Sequence, residues 1–282
     1  MRSLGLDQVK EPRLSVNGTM LTNPGIVREL NEDFVAWVLS DETDSAALFR
    51  MMALVADGMG GHAAGEVASE IAGRTVVRLY NALKGSPPEV LRACMAAANE
   101  AIIAHAQANP SCAGMGTTCT VLALQDDLAY LAHIGDSRAY LLRQGQLHQI
   151  SEDHSLVAHL VRSGKLTPEE AAQSPDRSSI LRALGTHQST DPYLFREGMP
   201  LRAGDVFVLC SDGLTDVVDD ATIHDVVARL PPDEACRQLI EAALAAGGPD
   251  NISVGIFALG GDPPPLEEAR STRPLPTAGP GR

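Results

Sequence analysis

Residues 118–150 read TCTVLALQDDLAYLAHIGDSRAYLLRQGQLHQI. Four runs of apolar or alternating residues, 118–124, 128–134, 138–143 and 146–150, are separated by short polar breaks. Gln125-Asp126-Asp127 and Gln144-Gly145 have turn chemistry, so the first two runs and the last two are predicted hairpins. Strands joined by such short loops must lie antiparallel. Between the hairpins, Gly135-Asp136-Ser137 places a carboxylate in a tight turn.

Working outward, residues 33–39, 51–56, 205–210 and 252–257 also read as strands. Their long apolar runs suggest sheets covered by other layers rather than sheets facing water. Helical spacing is clear over 65–83, 88–108 and 232–246, with Pro88 and Pro232 in first-turn positions. The helices do not follow each strand in turn. The pattern predicts an α+β fold of antiparallel sheets covered by helices, not a doubly wound parallel sheet. Residues 1–14 read as a flexible leader, 15–260 as one domain, and the Pro-rich 261–282 as a disordered tail.

The formal net charge of the 282-residue chain is −14. Such a surface repels nucleic acid and anionic membranes, so neither is an expected partner. No apolar run approaches the roughly 20 residues of a membrane span, and the N-terminus lacks a signal-peptide core. Cys94, Cys112, Cys119, Cys210 and Cys236 are odd in number and form no CxxC pair, which fits buried thiols in a reducing cytosol.

Carboxylates recur at strand ends. Met51 to Ala56 runs into Asp57-Gly58, residues 205–210 run into Ser211-Asp212-Gly213, and Asp250-Asn251 precedes 252–257. Glu32 and Asp33 open another strand, with Arg28 five residues before Asp33. Any single Asp-Gly is more often a turn than a ligand. As a set, however, they would converge if the strand edges met. Two carboxylates about 4 Å apart repel by roughly 4 kcal/mol at an effective dielectric of about 20. Cations among them would relieve that, and hard oxygen ligands select Mg²⁺ or Mn²⁺. A glycine after Asp57 would let its carbonyl approach a metal. No HExxH, GxxxxGK[ST] or GxSxG competes, and GMGTTCTV (114–121) lacks the lysine of a phosphate loop.

The stretches GIVRELNEDF (25–34), VADGMGGHAAGEVAS (55–69), GTTCTVLAL (116–124), HIGDSRAYLLRQGQL (133–147), EDHS (152–155), LRALG (181–185), VLCSDGLTDVV (208–218) and PDNISVGI (249–256) occur in one order. Together they resemble the metal-dependent protein serine/threonine phosphatases of type 2C, in their compact bacterial form. The resemblance implies an α-β-β-α sandwich of two antiparallel sheets, each covered by a helix pair. It implies two Mn²⁺ or Mg²⁺ ions bridged by Asp57, one bound by the Gly58 carbonyl and the other by Asp212 and Asp250. Asp136 with Asp212 matches a third site. Glu32 and Asp33 match acids that bind metal directly or through water, and Arg28 matches the arginine that holds the substrate phosphate. On its own residues Arg28 reads as a surface ion pair with Glu29 or Glu32; the motif context favours the phosphate instead.

Where many relatives carry a histidine after the Asp-Gly, this chain has Met59, which cannot donate a proton. His62 and a metal-bound water are alternative acids, so the general acid is unassigned. Residues 151–190 fall where relatives carry a flap beside the site. The implied activity is hydrolysis of phosphoserine and phosphothreonine in proteins by a water bridging two ions. The implied partners are phosphorylated proteins and a cognate Ser/Thr kinase, and the implied state is a cytoplasmic monomer. Two rival readings are a phosphatase-shaped binding module without catalysis, which need not keep Asp57, Asp212 and Asp250, and a metal-dependent phosphodiester or nucleotide hydrolase.

Overall fold

The computed structural model describes residues 14–40, 50–60 and 64–260. The expected tail, residues 1–13 of the expected leader, and His62 lie outside them. In chain order the first elements are β1 (Ser15–Asn23), β2 (Asp33–Ser40), β3 (Arg50–Met59), α1 (Ala64–Ala82), α2 (Pro87–Ala108), β4 (Gly116–Thr117), β5 (Cys119–Gln125), β6 (Leu128–Ile134), β7 (Arg138–Arg143) and β8 (Gln146–Gln149). There follow α3 (Leu156–Arg162), α4 (Pro168–Ala172), β9 (Tyr193–Leu194), β10 (Met199–Pro200), β11 (Val206–Cys210), α5 (Asp212–Thr215), α6 (Asp220–Val227), α7 (Pro232–Ala245) and β12 (Ile252–Gly260).

Both expected hairpins form. Gln125 pairs with Leu128 across Asp126-Asp127, and Arg143 pairs with Gln146 across Gln144-Gly145. Gln144 and Gly145 have φ of 54° and 75°, the positive values that a two-residue hairpin turn of type I′ requires. The two hairpins nevertheless enter different sheets. One sheet has the order β1-β12-β11-β7-β8, the other β10-β6-β5-β3-β2, with β4 paired to β3 and β9 to β6. All recorded pairings are antiparallel. Gly135-Asp136-Ser137 is thus a crossover from sheet to sheet rather than a hairpin turn.

The continuous apolar runs are explained by burial on both faces. In β3, Met51, Ala53 and Val55 face the other sheet and pack with Leu122, Leu131, Leu141, Phe207 and Phe257. Met52, Leu54 and Ala56 face outward and pack under α1 and α2 with Ala68, Ala72, Met95 and Ile102. In β11, Phe207 and Leu209 point between the sheets, whereas Val208 and Cys210 meet α6 and α7 through Ile223, Leu239 and Ile240. The result is the α-β-β-α sandwich, with α1/α2 on one sheet and α6/α7 on the other. Removing a side chain from the middle layer, as in Phe207→Ala, would cost about 3–5 kcal/mol.

Several elements lack a sequence signal. β1 (SVNGTMLTN) is too polar to stand out, because it is an edge strand partly exposed along its length. α6 is eight residues long, and α3 and α4 are seven and five. Such short helices complete too few turns for a sustained periodic stripe, and residues 151–190 show only a short helical pattern. The cysteines are free; Cys94, Cys119, Cys210 and Cys236 are buried and Cys112 is half-buried. No helix among the described residues is long and apolar enough to cross a membrane.

Candidate active site

The acidic residues meet at one end of the sandwich. β2 and β3 place Asp33 directly opposite Asp57. The sequence predicted that the strand would stop at Asp57-Gly58, but β3 continues through Met59. β5 pairs with β3 only as far as Val55, and β4 then takes over, Gly58 opposite Thr117 and Met59 opposite Gly116. The second ladder supplies backbone partners where the apolar run has ended. The main chain of Asp57 is held firmly. Its N–H donates to Thr118 Oγ1 at 2.9 Å, and its carbonyl accepts from Thr118 N and Thr117 Oγ1, each at 2.9 Å. The stretch GMGTTCTV is therefore a support for Asp57.

Gly58 is required for a reason additional to carbonyl access. A Cβ there would fall 2.1 Å from Gly65 O and 2.7 Å from Glu32 O. Its N–H donates to Glu32 O at 3.1 Å, so the absent side chain lets the β2 entry and the start of α1 close on β3.

From the other sheet, antiparallel β11 and β12 bring the end of one beside the beginning of the next. Asp212 therefore opens α5 close to Asp250, which precedes β12. Ser211 Oγ and Ser253 Oγ both donate to Asp33 Oδ2, at 2.8 and 2.6 Å, across the gap between the sheets. Arg28 Nη2 donates to Asp250 Oδ2 at 2.7 Å. The arginine's partner is thus neither Glu29 nor Glu32 but a residue 222 positions away. Asp136, buried in the sheet-to-sheet crossover, stands near Asp212 and Asp153 and feels their charge. A cavity of about 880 Å³ reaches from Asp136 and Asp212 outward beneath α3 and α4.

The carboxyls repel one another and are poorly solvated. Burial pushes Asp33 up to about 7, against the hydroxyls of Ser253 and Ser211, and Asp212 and Asp250 raise it further. Burial, then the charges of Asp212 and Asp153, push Asp136 up to about 8. Burial raises Asp212 to about 6, even though a hydrogen bond with Asp57 favours its charged form. Asp57 is raised well above the usual carboxylate range by burial and by Asp212 and Asp33. Burial also raises Glu32, against the nearby Arg28. Glu32 Oε1, Asp33 Oδ1, Asp136 Oδ1 and Asp212 Oδ1 are buried without a hydrogen-bond partner. Orphaned hard oxygens in a site of excess negative charge are the donor set that divalent cations take. Among the described residues, no group of three or more Asp, Glu, His or Cys side chains is already arranged to hold a metal ion.

The flap segment leaves beside this cluster. His154 N donates to Gly135 O at 2.7 Å, and Gly135 N donates to His154 Nδ1 at 3.2 Å. His133 stacks on His154 at 5.0 Å, donates from Nε2 to Glu152 O at 3.0 Å and lies 2.9 Å from Thr120 Oγ1 through Nδ1. Burial pushes His133 down to about 4, and burial with His133 pushes His154 down to about 3. Both stay neutral when folded, whereas the unfolded chain protonates them near 6.5. Their contribution is full above that pH and falls by about 1.4 kcal/mol per pH unit per histidine as acid is added, down to about pH 4 for His133 and about pH 3 for His154. His133→Gln is expected to remove one such contribution. Between about pH 6.5 and 4.5 the wild type should lose about 2 kcal/mol more stability than the variant in urea unfolding. Equal losses would mean that His133 is charged in the fold.

Sequence reasoning missed Asn251, Ser211, Ser253, Thr118 and Ser137, whose hydroxyls or amide surround the acids. A serine inside the apolar run ISVGIF was the one visible signal. Met59, at the end of β3, is half-buried.

Residues 27–245 match the family model for protein phosphatase 2C. The chain is 45% identical over 231 residues to the serine/threonine protein phosphatase PstP of Mycobacterium tuberculosis, covering 82% of this chain and 42% of PstP. It thus spans less than half the length of that relative. It is 36% identical over 246 residues to the protein phosphatase PhpP of Streptococcus pneumoniae, covering 86% of this chain and 96% of PhpP. The crystal structure of the PstP catalytic domain in complex with two manganese ions superposes with a TM-score of 0.77 at 40% identity, covering 88% of this chain and all of that one. A sandwich with acids from both sheets at one end, matched in sequence over most of its length, leads to one assignment: this chain belongs to the protein phosphatase 2C family.

Proposed function

We propose that the protein is a metal-dependent phosphatase that hydrolyses phosphoserine and phosphothreonine monoesters in proteins. The observation that carries this reading is the group of orphaned buried oxygens on Glu32, Asp33, Asp136 and Asp212, gathered around Asp57 with Arg28 at their edge. PstP and PhpP bear the names of protein phosphatases, and the PstP catalytic domain binds two manganese ions, which supports the same reading. Asp57, the Gly58 carbonyl, Asp212 and Asp250 would hold two ions, Mn²⁺ or Mg²⁺, and Asp136 with Asp212 a third. When bound, such ions supply positive charge that makes water nucleophilic near neutral pH.

The chain's own residues have distinct tasks. Asp33 Oδ2 is engaged by two serine hydroxyls, so Oδ1 is the oxygen free to face an ion or its water. The side chain of Arg28 is 49% exposed, and its planar set of donors can grip two phosphate oxygens. Water would attack phosphorus in line as the bond to the serine or threonine oxygen breaks, the proton given up by the water balancing the one taken by the leaving oxygen, so that the alcohol and inorganic phosphate form with no phosphoenzyme. Met59 has no proton to give the leaving oxygen. The phosphoprotein substrates would come from a Ser/Thr kinase in the same cytoplasm, and the enzyme would act as a monomer.

A chromogenic phosphate monoester and a phosphothreonine peptide should be hydrolysed with Mn²⁺ or Mg²⁺ and not with EDTA. Silence with every divalent ion would favour a binding module, and preference for a diester would favour the nucleotide-hydrolase reading. Arg28→Ala should weaken inhibition by inorganic phosphate about tenfold to a hundredfold. Its manganese affinity should stay within about threefold; a collapse of metal binding instead would remove Arg28 from the phosphate.

A further inference from the structure

Asn251 follows Asp250 and is only 5% exposed. Its amide is directed entirely at the loop between β1 and β2. Nδ2 donates to Pro24 O at 2.9 Å and to Leu30 O at 2.8 Å, and Oδ1 accepts from Glu32 N at 2.7 Å. A primary amide has two N–H groups and one carbonyl, and all three functions are used. They grip both ends of residues 24–32, the segment that carries Arg28. Ile26 N adds a bond to Gly248 O at 2.8 Å. Gly25 turns the chain at φ 78°, so close to the strand entry that a Cβ would lie 2.2 Å from Asp250 O.

The loop gains little anchorage from its own apolar side chains. Ile26, Val27 and Leu30 are 65%, 67% and 47% exposed. Burial of apolar area normally holds a loop to a core, and here these side chains point to solvent. The polar clamp is therefore what gives the loop one conformation.

We propose that Asn251 is a positioning residue that clamps residues 24–32 and so holds the Arg28 guanidinium in place beside Asp250. Its importance for phosphate rests on the role of Arg28 proposed above; the clamp itself does not. Asparagine is suited to the task by its two donors and one acceptor. Aspartate would lose both donors, and alanine or serine would lose the amide.

In the unmutated, manganese-loaded protein, the Ile26 and Glu32 amides should exchange slowly with deuterium despite the exposed side chains around them. Exchange at the rate of a free peptide would overturn the clamp. Asn251→Ala and the milder Asn251→Ser, each checked for folding by thermal melting, should speed tryptic cleavage after Arg28 at least about tenfold. They should also weaken competitive inhibition by inorganic phosphate about tenfold to a hundredfold. Adding Asn251→Ala to Arg28→Ala should weaken it little further, because both changes act through one group.

Unchanged cleavage in the folded variants would sink the proposal. So would unchanged phosphate inhibition in the Asn251 variants when Arg28→Ala weakens it. Faster cleavage with phosphate inhibition intact in every variant, Arg28→Ala included, would leave the clamp standing and remove Arg28 from the phosphate.

Discussion

Asp57→Asn is expected to lower manganese-dependent hydrolysis of a phosphate monoester at least about a thousandfold, and at the same time to raise the melting temperature of the metal-free protein. The two effects have one cause. Asp57 is crowded by other carboxyls: burial, Asp212, Asp33 and Asp136 all disfavour its charge. Asparagine keeps the shape and can still donate to Asp212, but carries no charge. Relief of one buried repulsion is worth on the order of 1–2 kcal/mol. That corresponds to a rise of roughly 2–8 °C for a domain of this size. Manganese should reverse the order, because an ion that binds only the folded wild type stabilises it by mass action and should stabilise the variant little. Melting curves with Mn²⁺ and with EDTA, run beside the activity assay, check both signs. Full turnover, or an equal manganese shift in both proteins, would show that Asp57 does not stand at the centre of the ion site.

The second large effect is expected at Gly58, where alanine should destabilise the fold by about 3 kcal/mol or more. The added carbon would lie 2.1 Å from Gly65 O, 2.4 Å from Gly65 C and 2.7 Å from Glu32 O. These are backbone atoms, which cannot swing aside as a side-chain tip can. Either β3 leaves its ladder with β4, or α1 and the β2 entry back away; each moves a candidate ligand. The melting temperature should fall by roughly 6–12 °C, and manganese should recover little of it. Gly204→Ala is the control. Gly204 has φ 86° and open space around it, so only the positive-φ cost of about 1 kcal/mol applies. Urea unfolding of both variants tests the difference, and a Gly58→Ala protein as stable as Gly204→Ala would refute the close packing.

Much of this molecule could be read locally. The two hairpins show in their turn residues and in the residues on either side, because two-residue loops leave antiparallel pairing as the only outcome. The long helices show because α1, α2 and α7 repeat an apolar stripe for several turns. The acids at strand ends show as a repeated grammar, although any one of them taken alone resembles a turn. Asp57-Gly58 illustrates the limit: the same dipeptide that turns a hairpin elsewhere lies here within a strand, because Thr117 of β4, 59 residues downstream, arrives to pair with Gly58.

The sequence by itself determined the antiparallel sheets, the three long helices and the roster of acids, since each of these depends on residues close together in the chain. The tertiary structure decided the rest. It sent the two hairpins into different sheets, gave Arg28 to Asp250, pointed two serines at Asp33 and set Asn251 across the Arg28 loop. Those pairings span up to 227 residues and are made at a single atom or two, and no periodicity or spacing within a strand or helix records which distant oxygen a given donor will meet.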